Sequence, residues 1–156
     1  MPNLLPEGYE EEVITAEDVE AEEPVGYRNG LSFDYDLGDF RRDGRNKILD
    51  SDGIESWRSW CFNCVMTERY KHLAYSTDFG IEWEAVFAAV SREEAESILV
   101  RQITEALLAD PYERTEYVED VDIEWTAPDA LTVYVVVHGV NDATIDFTAY
   151  ITKGGV

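Results

Sequence analysis

The last quarter of the chain carries the strongest constraint on its fold. Val121, Ile123 and Trp125 alternate with acidic residues; Leu131, Val133, Val135 and Val137 make a second alternating run; Ile145, Phe147, Ala149 and Ile151 make a third. A period of two sends successive side chains to opposite faces of a strand, so each run has one face for a core and one for solvent. Pro128-Asp129 and residues 139–142 (GVND) separate the runs. These connections are too short for a crossover, and the reading is three consecutive antiparallel strands in a meander.

Upstream the period lengthens to that of a helix. Asp52 is placed to cap a helix, with Glu55 three positions on to reach back to the cap nitrogen. Ile54, Trp57, Trp60, Cys61, Cys64 and Val65 then share one face, while Glu55, Arg58, Ser59 and Asn63 lie mostly on the other. A short aromatic loop closing on Asp78-Phe79-Gly80 follows, then a second helix through Trp83, Val86, Phe87 and Val90. Ser91 and Glu94 form a further capping box. It opens a longer helix whose inner face is Ala95, Ile98, Leu99, Ile103, Ala106 and Leu107, stopped at Asp110-Pro111. Nearer the start, Asn29-Gly30 turns the chain into Leu31, Phe33, Tyr35 and Leu37, alternating with Ser32, Asp34 and Asp36 as a half-buried strand does. Residues 39–46 are a charged connector. The expected fold is α+β: a small antiparallel sheet, made of the C-terminal meander plus an N-terminal strand, packed against two or three helices.

With 45% apolar and 12% aromatic residues in 156, there is material for one core, assigned to residues 25–156. Residues 1–24 hold nine carboxylates and no Lys or Arg, the composition of a solvated acidic tail. A formal charge of -22 repels nucleic acid and anionic membranes and favours basic protein partners. No apolar run reaches the roughly 18 residues of a membrane span, and the first residues lack a basic region followed by a hydrophobic one, so synthesis in the cytoplasm is expected.

Cys61-Phe62-Asn63-Cys64 has the spacing of a thiol redox motif, but it falls in mid-helix among Trp60, Val65 and Met66. An activated cysteine sits near a helix N-terminus, so free thiols packed in the core are the plainer reading. Zinc would require further ligands, with only His72, His138 or distant carboxylates to supply them. No serine elbow, phosphate loop or metalloprotease pattern is present, and no catalytic, cofactor or metal residue is assigned. Trp57 and Trp60 are at core spacing. Glu68 and Arg69, after Thr67, stand at a helix-to-loop junction as an exposed ion pair or as a place for another subunit to dock.

Asp52-Gly53-Ile54, residues 66–80 (MTERYKHLAYSTDFG), 103–111 (ITEALLADP) and 131–137 (LTVYVVV) together resemble the small baseplate wedge proteins of contractile phage tails. These are the sheath initiators, with relatives in contractile bacteriocins and injection systems, some of them described as lysozymes. The resemblance spans roughly residues 30–152. It implies a non-enzymatic structural protein of the tail baseplate, without cofactor, in six copies around the tail axis and assembled in the host cytoplasm. The implied partners are the tail sheath protein, baseplate wedge proteins, and tube or hub proteins. Sheath subunits are joined by offering a sheet edge to their extended arms. By position, Thr67, Arg69, Asp78, Phe79 and Gly80 fall in the signature segment, and Glu68 is an interface candidate beside them. Val135, Val137, Ile145, Phe147, Thr148 and Ile151 fall in the docking sheet. Two other classes stay open: an acidic mimic of DNA that occupies a basic nucleic-acid-binding protein, and a thiol redox enzyme.

Overall fold

A computed structural model describes residues 26–154; the acidic segment 1–24 lies outside the described residues. Three helices, α1 (Gly53–Met66), α2 (Trp83–Phe87) and α3 (Arg92–Leu108), precede the meander of β5 (Thr115–Ala127), β6 (Ala130–Gly139) and β7 (Thr144–Thr152). The sheet order is β5-β6-β7, antiparallel throughout. Asn141 and Asp142, with φ of 58° and 57°, make the two-residue turn between β6 and β7. Short polar residues tolerate that left-handed pair, whose twist matches the flanking strands. Alternation does the rest: Leu131, Val133, Val135, Val137, Ile145, Phe147, Ala149 and Ile151 are all buried on one face. The helices cover that face, α1 against β7 and α3 against β5.

Both expected caps form. The Asp52 carboxylate accepts from the Glu55 amide at 2.8 Å, and Ser91 Oγ accepts from the Glu94 amide at 3.2 Å. The return bonds differ, because Glu55 turns to Arg58 at 3.6 Å and Glu94 accepts from the amide of Val90. On α1, Trp57, Cys61, Cys64 and Val65 are buried, but Ile54 is 44% exposed. At that end Gly53 takes the inward place, packed against the Tyr27 backbone.

The N-terminal alternation resolves differently from one continuous strand. β1 (Gly30–Leu31) pairs with β4 (Asp50–Ser51), and β2 (Phe33–Asp34) pairs with β3 (Asp39–Phe40), both apart from the meander. Asp34 is the cause. Its carboxylate accepts from the amides of Asp36 and Leu37 at 3.0 and 3.1 Å, which folds the chain into a turn completed by Gly38 at φ 69°. Leu37 is consequently 82% exposed. The hairpin still braces the core, since Tyr35 packs on Phe62 of α1 and Phe62 on Phe147 of β7. Val90, expected on the second helix, lies beyond its end and is exposed.

Candidate docking surface

The two ends of the sheet's strand order differ as edges. β5 is irregular, with three register shifts along its pairing with β6, and it carries Glu116, Glu119, Asp120, Asp122 and Glu124. Bulges and charges of this kind discourage edge pairing. β7 pairs with β6 in unbroken register and presents Thr144, Asp146, Thr148 and Tyr150 to solvent.

Which backbone groups of β7 face its free edge follows from three hydrogen bonds. The amide of Lys153 donates to the carbonyl of Asp129, and that of Gly139 to the carbonyl of Ala143, so odd-numbered residues face β6. The carbonyl of Asp146 points the other way, accepting from Arg58 Nε on α1 at 2.8 Å. Backbone direction alternates along a strand, so the amides and carbonyls of Thr148 and Tyr150 face outward. Among the described residues neither finds an outward partner.

This geometry sorts the strand-borne candidates. Thr148 lies on the open edge. Ile145, Phe147 and Ile151 are on the same strand, but their backbone groups serve the β6 ladder and their side chains are buried. Val135 and Val137 are corrected: they sit on the central strand, paired on both sides and wholly buried, where no incoming chain reaches them. Alternation had identified the strands but not which of them would be central.

The signature segment is a stapled loop. Ile81 donates to the carbonyl of Thr67, and Arg69 to that of Ile81, each at 2.9 Å. Arg69 Nε reaches the Gly80 carbonyl at 2.9 Å, and its guanidinium lies 4.0 Å from Glu82. Gly80 has φ 95°, and a Cβ there would meet the Thr67 carbonyl oxygen at 2.7 Å. Thr67 leaves the helical conformation as the C-cap of α1, and its Oγ1 donates to the carbonyl of Asn63. Thr67, Arg69 and Gly80 therefore hold the loop shut. Phe79 packs between Trp60 and Tyr75, while Asp78 is exposed. Glu68 bonds to the first amides of α2, and partial burial raises its carboxyl above the ordinary range. The expected Glu68–Arg69 pair does not form, as each residue bonds elsewhere. Gly80→Ala is expected to destabilise the fold by about 1–3 kcal/mol, measured by urea unfolding, because it adds both backbone strain and a clash.

Cys61 and Cys64 are wholly buried in mid-helix. Burial pushes both thiols up, Cys64 to about 11. That is the opposite of activation. The folded chain at pH 8 is expected to take no iodoacetamide, and the urea-unfolded chain two equivalents, counted by mass spectrometry. Because the folded state favours the protonated Cys64, its contribution to stability is full below pH 9.0 and is lost as pH rises towards about 11. His138 bonds to Glu119 and Thr144 and stacks on Tyr117, and His72 lies in the exposed loop.

The described residues form an α+β fold in which β7 is a regular, open sheet edge. The family model of the contractile injection system sheath initiator matches residues 30–142, from β1 to the turn before β7, and the chain belongs to that family. No curated protein is a significant match. The chain is a structural component associated with the tail of a contractile injection system.

Arg58 is the contributor that sequence reasoning missed. It was placed on the solvent face of α1, and its bond to a carbonyl 88 positions away has no local signal. Tyr150 was legible in principle, since the alternation that marks Thr148 marks it too.

Proposed function

We propose that this chain links the baseplate wedges to the first sheath ring and starts sheath assembly by accepting an extended arm of a sheath subunit on the free edge of β7. The observation that carries this reading is the pair of unpartnered outward residues, Thr148 and Tyr150, on an unbroken edge strand. They offer the main-chain donors and acceptors that strand addition uses. Four such bonds at about 1 kcal/mol each give only about millimolar affinity. A ring of six copies around the tube and hub supplies the rest, because neighbouring contacts become intramolecular once the platform exists.

The test is genetic and visual. Deleting the gene is expected to leave tubes or baseplates without sheath in negative stain, with the chain detected by mass spectrometry in purified wild-type particles. Normal contractile particles from the deletion strain would end the proposal.

A further inference from the structure

Beyond Tyr150 the β7 edge opens into a cleft of about 910 Å³, floored by Thr152 and Lys153 and walled by Met66 and Tyr70 from the end of α1 and its loop, and by Ala85 and Phe87 from α2. At the opposite end of the edge Arg58 already bonds to the Asp146 carbonyl, which favours continuation of an added chain towards the cleft. Phe87 is half-buried and Tyr70 is 64% exposed, so the cleft presents aromatic surface inside a rim of charged groups that includes Lys71 and Glu84. Buried aromatic anchors within a polar rim are where interfaces concentrate their energy.

We infer that this cleft receives the continuation of the sheath arm past its paired strand, holding a bulky apolar side chain of the arm between Phe87 and Tyr70. The inference rests on the β7-edge reading. It gives the arm a second attachment, so that register is fixed by a side chain as well as by backbone pairing, which alone permits slippage.

The probes are fluorescent peptides copying the two terminal arms of the sheath subunit from the same particle, each also made with its bulky apolar residues changed to serine. Binding is read by anisotropy. Ala85→Arg fills the cleft from an exposed helical position, and circular dichroism checks that it folds. The expected result is at least a tenfold loss for the native arm on Ala85→Arg, and serine-substituted arms that bind wild type and variant alike. If Ala85→Arg binds the native arm as wild type does while Thr148→Pro does not, the cleft inference fails and the edge reading stands. If Thr148→Pro also binds as wild type, both fail.

Discussion

A Thr148→Pro chain is expected to fold, to enter the baseplate, and to grow no sheath. Proline removes the Thr148 amide hydrogen and places its ring where an incoming strand would lie. That amide faces outward, so the β6–β7 ladder loses nothing, and the melting temperature is expected to stay within about 5 °C of wild type. The same change at Ala149 is the control. Its amide serves the ladder and its side chain is buried, so Ala149→Pro is expected to unfold the sheet. For an isolated arm the loss at Thr148 should reach tenfold, since about 1.4 kcal/mol suffices. In a particle every copy carries the same defect, so all its docking sites fail together. Full-length sheaths on baseplates carrying folded Thr148→Pro would show that the arm docks elsewhere.

A large loss of stability is also expected at Asp110. Its carboxylate accepts from Arg114 Nε at 2.7 Å and from the second guanidinium nitrogen at 2.9 Å, and also from the amides of Tyr112 and Arg114. Both side chains are buried, and Arg114 lies over the rings of Trp60 and Tyr112. Asp110→Ala leaves a buried guanidinium unpaired, which costs about 3–5 kcal/mol and lowers the melting temperature by on the order of 15 °C. Adding Arg114→Met to that variant should cost less than about 1 kcal/mol more, because the pair is already broken. Urea unfolding of the two single variants and the double variant measures this coupling. Additive losses would show that the two residues act separately.

The cluster also explains how much of the fold was legible. Asp110-Pro111 reads in sequence as a helix stop, and α3 does end at Leu108. That Asp110 then anchors the corner into β5 depends on an Arg four positions later being buried, which only the packed structure decides. Period-two alternation specified the meander because one buried face is a strong and continuous demand. It failed for residues 31–37 because Asp34 offers its neighbours' amides a local carboxylate, and a turn won over a strand. The same alternation places Val135 and Thr148 alike on strands of the meander. It carries no information on strand order, so the division between a central strand and an open edge came from pairing. Within residues 66–80, Thr67, Arg69 and Gly80 hold the loop shut, and the cleft beside it is built from three separate pieces of chain, neither of which a local pattern announces.

The most direct measurement is amide hydrogen exchange across residues 144–152, in the isolated chain and in assembled contractile particles. In the isolated chain the amides of Thr148 and Tyr150 should exchange quickly while those of Phe147, Ala149 and Ile151 are protected by the β6 ladder. In particles carrying sheath, Thr148 and Tyr150 should become protected as well. Unchanged exchange at these two amides in sheathed particles would contradict strand addition at β7.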